Sequence, residues 1–284
     1  MGRRDSPALE GADTMLIIFE MANNHMGDYK HGIRIIDEFR RVADKCPQFE
    51  YAFKFQYRDL TTFIHPDADL DNKYAKRFIE TNLPLDKRYK LKYHAKDLGF
   101  KTICTPFDEK SVQHIHEHDY DMIKVGSPSA TDMPLLTEIH YGWPSNKGVI
   151  LSVGGLSEQE INAAIFTLAR EDIILLHCMS EYPNRYTNQG QIGWLMETYP
   201  NNIIGFSSHQ DPEEYIYLPY AKVYEFHVCT ETAPNKYSLN AERMELVMAR
   251  LIIEYMQRDP GPKPLQFMRK PQRGDVLGRW WWKP

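Results

Sequence analysis

His209, in Gly205-Phe206-Ser207-Ser208-His209, and His227, in Tyr224-Glu225-Phe226-His227, each follow a short apolar run that reads as a strand. Imidazoles at two strand ends offer a divalent metal two neutral nitrogen ligands. Two protein ligands leave positions open for water or substrate, as a catalytic rather than a structural metal requires. Lys54 lies between Phe53 and Phe55, and Lys124 between Ile123 and Val125. In a strand such alternation turns each ammonium away from its aromatic or aliphatic neighbours and towards the opposite face. Two lysines facing one interior are costly to bury unless an anion lies between them, and a phosphate or carboxylate ligand would satisfy both. Ser127, Ser152 and Ser207 could donate hydrogen bonds to the same anion, although each alone reads as a turn residue. Glu225 and His227, two residues apart, share a face that Tyr224 and Phe226 leave. His114, His116 and His118 sit in a polar helical stretch and read as solvent-facing.

These groups need elements that end at one place. Short β-prone runs occur at 16–19, 51–56, 101–104, 122–125, 149–152, 173–177, 203–206 and 223–227, each followed by a helix-like or helix-permissive stretch. The clearest helices are predicted at 32–45, 85–98, 158–170 and 240–257, and Ser157 with Glu160 has capping-box form. Eight alternations favour an α/β fold of the (β/α)8 barrel type over an open doubly wound sheet. No GxGxxG follows a strand, which argues against dinucleotide binding. In a barrel the strand ends face one mouth. Glu20, Lys54, Gln56, Thr105, Lys124, Ser127, Ser152, His177, Tyr182, Ser207, His209, Glu225 and His227 would all stand there.

The chain has 284 residues, 42% of them hydrophobic, enough for one large core. The expected organisation is an N-terminal extension (1–14), a barrel (15–257) and a Pro-, Gly- and Trp-containing basic tail (258–284). Net charge is -5 with both signs interspersed, which gives no stripe for nucleic acid and no polybasic membrane patch. No apolar run approaches the ~20 residues of a membrane span. The start is polar and mixed in charge, unlike a signal peptide. Cys46, Cys104, Cys178 and Cys229 are far apart without a CxxC pair, and read as reduced core thiols of a cytoplasmic protein.

A series of ordered motifs resembles the sialic acid (N-acetylneuraminate) synthase family: Glu20-Met21-Ala22-Asn23-Asn24-His25-Met26-Gly27-Asp28, Phe53-Lys54-Phe55-Gln56, Thr105-Pro106-Phe107-Asp108, Lys124-Val125-Gly126-Ser127, Leu151-Ser152-Val153-Gly154-Gly155, His177-Cys178 with Tyr182-Pro183, Gly205-Phe206-Ser207-Ser208-His209 and Glu225-Phe226-His227. The resemblance covers about residues 15–255. It implies a barrel that condenses phosphoenolpyruvate with an N-acetylated amino sugar such as N-acetylmannosamine, releasing phosphate and forming a 2-keto sugar acid. A divalent metal, Mn2+ or Mg2+, and a homodimer are implied as well. By the resemblance Lys54, Lys124, Ser127, Ser152 and Ser207 hold phosphoenolpyruvate, while His209 and His227 ligate the metal. Glu20 positions the aldehyde or moves a proton, Tyr182 packs against the sugar, and Gln56 and Asn235 bind substrate.

The chain also departs from the family pattern. Ser129 replaces a glutamate, Ser208 an aspartate, Ser180 an asparagine, and Asn235 the sugar-binding aspartate expected after strand eight. Phosphoenolpyruvate and metal positions are kept while sugar-facing ones have changed, which points to a different acceptor. The antifreeze-like domain with which family members continue is not expected in the tail. A non-catalytic sugar- or phosphate-binding barrel, and another metal-dependent barrel aldolase or isomerase, remain the alternatives.

Overall fold

The structure, a computed structural model, describes residues 14–179, 188–210, 221–230 and 238–256. Eight parallel strands close into a barrel in chain order: β1 (Leu16–Glu20), β2 (Glu50–Tyr57), β3 (Lys101–Pro106), β4 (Met122–Val125), β5 (Gly148–Ser152), β6 (Ile174–Cys178), β7 (Ile204–Ser208) and β8 (Val223–His227). The ring shuts where β1 pairs with β8, Leu16 opposite Val223 through Glu20 opposite His227. All eight predicted strands are present, and the (β/α)8 expectation holds.

Described helices are α1 (Tyr29–Asp44), α2 (Leu60–Phe63), α3 (Lys73–Glu80), α4 (Leu85–Asp97), α5 (Glu109–Glu117), α6 (Met133–Gly142), α7 (Glu158–Leu168), α8 (Gln189–Thr198) and α9 (Ala241–Met256). Local chemistry sets their starts. The Asp28 side chain accepts the Lys30 N–H at 2.8 Å and opens α1, which then buries Ile35, Ile36, Phe39, Val42 and Ala43 at helical spacing. Ser157 and Glu160 form the predicted capping box at the head of α7, with Ser157 N donating to Glu160 Oε2 at 2.8 Å.

Two apolar layers divide along the strand alternation. Outward residues such as Phe19, Phe53, Val125 and Phe206 join the helices in one large buried cluster, where the Phe19 and Phe39 rings meet edge-on at 4.9 Å. Inward residues Leu16, Ile18, Ala52, Ile103, Met122, Ile150, Ile174, Leu176 and Val223 form a second cluster that plugs the barrel floor. Continuing each inward series by two residues reaches the mouth, where the side chains become polar. All four cysteines are buried and free, as expected of core thiols. Thr14 apart, the expected N-terminal extension and the tail from 258 lie outside the described residues, as does the stretch following β7.

Candidate active site

The inward series of β1, β2, β4, β7 and β8 carry Glu20, Lys54, Lys124, Ser207 and Glu225 to the mouth, all buried. Register sets their neighbours: Glu20 stands opposite Lys54 and Ser207 opposite Glu225. Lys54 Nζ pairs with Glu20 Oε2 and lies 3.4 Å from Glu225 Oε2. Lys124 reaches across from the far side of the ring to Glu225 Oε1 at 2.5 Å, and Ser207 Oγ donates to that oxygen at 2.8 Å. The two lysines thus face the interior as predicted, and in this structure the anion between them is Glu225. The sequence reading placed Glu225 on the face of His227 without giving it a role. Its signal was the two-residue spacing in β8, but its partners come from strands remote in the chain.

The charges follow from burial and pairing. Burial pushes the Glu225 carboxyl up, but Lys124 and then Lys54 outweigh it and hold it below the usual carboxylate range. For Lys54 burial is the larger influence and pulls the ammonium down to about 7, with Glu225 opposing. Glu20 is pinned from its other side, where Oε1 accepts the Ala22 N–H at 2.8 Å.

Ser152, the last residue of β5, is buried at the same mouth. Its hydroxyl has no hydrogen-bond partner among the described residues, and a buried hydroxyl left in that state is costly unless a ligand completes it. Ser127 follows β4 in a short 3-10 turn, and its Oγ accepts the Gly154 N–H at 3.2 Å. Gly154 is required there, because a Cβ would lie 2.4 Å from the Cys178 carbonyl oxygen. Gln56 ends the inward series of β2, half-buried, and its Oε1 accepts from Arg58 Nη2 at 2.5 Å.

His209 and His227 are brought together as the sequence predicted, with their Nε2 atoms 3.2 Å apart. Burial, followed for His227 by the neighbouring His209, depresses both: His209 to about 4 and His227 well below its ordinary value. Neutral imidazole is the ligating form. A hydrogen bond to the Met179 backbone and Cys178 Sγ, 3.6 Å from Nδ1, hold the far side of His209 and leave Nε2 for a ligand. Two nitrogens about 2.1 Å from one ion and at right angles would stand about 3.0 Å apart, so the pair fits a shared metal. Among the described residues no third His, Cys, Asp or Glu completes a metal cluster with them.

Three sequence readings change. His177 stacks on Phe206, outside the barrel, at 5.6 Å between ring centres, and Cys178 takes the inward place, because the inward series of β6 runs Ile174, Leu176, Cys178. Ser208 also lies off the inward series. Its Oγ accepts the Gln210 N–H at 3.3 Å in the turn leaving β7, so the side chain is engaged in a turn and not on the inward face. His118 caps the C-terminus of α5 and bonds Tyr57 Oη through Nδ1 at 2.8 Å, so it is not simply solvent-facing. Tyr182, Ser180 and Asn235 lie outside the described residues.

Fold and site define a (β/α)8-barrel protein whose mouth joins a lysine–glutamate cluster to a pair of facing imidazoles. The NeuB family profile matches residues 50–252, and the chain belongs to that family. Among curated relatives, uncharacterized protein MJ1065 of Methanocaldococcus jannaschii is 33% identical over 68% of this chain and 55% of its own length. An N-acetylneuraminate-9-phosphate synthase of Drosophila melanogaster is 26% identical over 70% of this chain and 55% of its own. The chain therefore spans about half the length of the curated relatives it matches. Among solved structures, a spore coat polysaccharide biosynthesis protein E from Chromobacterium violaceum superposes with a TM-score of 0.81 at 35% identity, covering 89% of this chain and 78% of that one. An N-acetylneuraminic acid synthetase from Leptospira borgpetersenii shares the fold at a TM-score of 0.75 and 24% identity, over 90% and 89% of the two chains.

Proposed function

We propose that this chain condenses phosphoenolpyruvate with an N-acetylated amino sugar, giving a sialic-acid-like 2-keto sugar acid and inorganic phosphate. The observation that carries the reading is the cluster at the mouth. Two buried lysines, from β2 and β4, share one carboxylate beside a buried serine hydroxyl with no hydrogen-bond partner among the described residues and two facing imidazoles. Names carried by relatives, N-acetylneuraminate-9-phosphate synthase and N,N'-diacetyllegionaminic acid synthase, support the same class of reaction.

In this reading Lys54 and Lys124 hold the phosphate and carboxylate of phosphoenolpyruvate, with hydroxyl donors from Ser152, Ser207 and Ser127. As the substrate anion enters, the lysines exchange part of their bonding to Glu225 for bonding to substrate, so the interior never carries uncompensated ammonium groups. His209 and His227 would hold a divalent cation, Mn2+ or Mg2+, which when bound supplies Lewis-acid polarisation of the sugar aldehyde. Carbon 3 of phosphoenolpyruvate forms the new bond to the aldehyde carbon, water adds at carbon 2, and phosphate leaves with cleavage of its bond to that carbon. Glu20, fixed between Lys54 and the Ala22 N–H, is placed to orient the aldehyde or carry a proton. Gln56, Tyr182 and Asn235 complete the sugar side.

The setting proposed is cytoplasmic, where phosphoenolpyruvate is made and thiols stay reduced. No helix among the described residues is long and apolar enough to cross a membrane. A homodimer is part of the proposal; nucleic acid and membrane surfaces are not partners in it. The test is phosphate release from phosphoenolpyruvate with Mn2+ across a panel of hexosamines. Release dependent on one acceptor, and lost in Lys124→Gln, is expected. A metal-bound, folded protein that releases nothing with any acceptor would overturn the reading.

A further inference from the structure

The last described helix, α9, is apolar on both sides. Towards the barrel it buries Met244, Val247, Met248 and Leu251, the usual stripe of a surface helix. On the opposite side Glu242, Leu246, Ala249 and Ile253 follow one another at steps of four, three and four, which sets them on one line along the helix. Leu246 is 62% and Ile253 57% exposed, and Ala249 between them is exposed as well. By contrast α1, which packs beside α9, turns Arg34, Arg41, Asp44 and Lys45 to solvent. A helix with apolar residues on both faces is normally covered on both, so the outer line calls for an occupant.

The chain itself offers one. Residues 257–284 start where α9 ends, within a turn of Ile253, and hold Trp280, Trp281 and Trp282, three of the five tryptophans of the chain. The other two, Trp143 and Trp194, are buried in the core. Indole is large and mostly apolar, so three in succession gain from an apolar surface to lie on. Pro260, Gly261, Pro262 and Pro264 cannot extend a helix and favour a change of direction, back along α9. From Met256 to Leu246 the helix rises about 15 Å, whereas a coil from Met256 to Trp280 spans about 27 Å on average. The tryptophans therefore reach every point of the line.

Charge sets the sense of the arrangement. The tail has seven basic residues against two acidic ones, in a chain of net charge -5, and Arg279 and Lys283 bracket the tryptophans. Laid back along α9, they approach Glu242, exposed in its first turn, and Glu245, which already meets Lys45 at 2.6 Å. Proximity favours the same chain over a second copy, because a tethered segment is present at an effective concentration of about a millimolar. We propose that the outer line of α9 is the docking site of this chain's own tail, with Trp280, Trp281 and Trp282 seated on Leu246, Ala249 and Ile253.

The test uses the full chain labelled with a bimane, a fluorophore that indole quenches on contact, at Leu246→Cys or Ile253→Cys. The four native cysteines are buried, so labelling is confined to the introduced thiol. Each labelled protein is compared with its counterpart carrying Trp280→Phe, Trp281→Phe and Trp282→Phe together. Fluorescence should rise about twofold or more on removal of the indoles, as for a site mostly filled at millimolar effective concentration. It should stay unchanged with the label at Phe166→Cys, a position 85% exposed on α7. In the reciprocal experiment, Leu246→Asp with Ile253→Asp should increase acrylamide quenching of tryptophan emission, both positions being exposed enough for the fold to hold. No rise at positions 246 and 253, an equal rise at 166, or unchanged acrylamide quenching in the double aspartate variant would overturn the proposal. So would a loss of fluorescence when the labelled, tail-substituted chain is mixed with unlabelled wild type, which would assign the face to a second copy.

Discussion

Glu225→Gln tests the mouth most directly. The carboxylate meets Lys124 at 2.5 Å, Ser207 at 2.8 Å and Lys54 at 3.4 Å, all buried. At an effective dielectric near 20 the two ammonium contacts are worth about 7 and about 5 kcal/mol of gross attraction. Removing the charge also removes the cost of burying it, several kcal/mol. The amide oxygen still accepts from Ser207, and Lys54, already pulled down to about 7, can shed its proton once Glu225 no longer opposes burial. The net loss should therefore sit near the low end of the range for a broken buried pair, about 3 kcal/mol. For a domain of this size that lowers the melting temperature by about 6–12 °C. Phosphoenolpyruvate should then restore more in the variant than in wild type, because the wild-type lysines must give up Glu225 to receive it. Scanning fluorimetry with and without phosphoenolpyruvate reads both quantities. A variant that melts with wild type, or gains less from phosphoenolpyruvate than wild type does, would refute the view of Glu225 as the interior counterion.

Three further outcomes follow from single contacts. Saturating Mn2+ at about 100 times its Kd should stabilise the protein by about 2.7 kcal/mol, and His227→Asn should abolish the shift in a metal titration. Gly154→Ala places a Cβ 2.4 Å from the Cys178 carbonyl oxygen; it should cost about 1–3 kcal/mol in denaturant unfolding and weaken metal binding through the displaced exit of β6. His25 sits at about 4 in the fold against an ordinary 6.5. The folded state therefore prefers the neutral ring, and this contribution is present above pH 6.5 and lost as pH falls towards 4. Its upper size is about 3 kcal/mol. Melting temperatures between pH 7 and 4.5 should fall less steeply in His25→Gln, with the remaining slope due to the other depressed histidines.

The barrel was legible because parallel strands covered on both faces read as short apolar runs, and eight of them recur between helical stretches. Their ends were less so. β2, β3, β6 and β7 run on to Tyr57, Pro106, Cys178 and Ser208, past the point where the apolar pattern stops, since polar side chains at the mouth find ionic and hydrogen-bond partners there. Lys54, Lys124, His209 and His227 could be placed inward from alternation alone. That Glu225 lies between the lysines required the closure of the ring, which brings together residues 101 positions apart. The inward–outward choice at His177 and Cys178 turned on one residue of register, because shifting a strand by one exchanges its faces. Arg58 carried no signal: its surroundings come from Phe78 in α3, from Phe107 in the loop after β3 and from a turn that brings Asn23 over it.

The two cationic sites are neutralised in opposite ways, and salt can tell them apart. At the mouth, Glu20 and Glu225 compensate Lys54 and Lys124 within the protein, and all four are buried from the ion atmosphere. Beside the mouth, half-buried Arg58 and Arg88 line a pocket with no carboxylate among the described residues, so relief of their repulsion falls to solvent ions. Raising sodium chloride from about 0.01 M to 0.15 M shortens the screening length from about 30 Å to 8 Å, which acts on the pocket and hardly on the mouth. Wild type should therefore gain stability over that range. Asn82→Asp, which carries its own counterion against Arg88, should start more stable at low salt and gain less. Parallel salt curves for the two proteins would mean that the arginine pocket is already neutral.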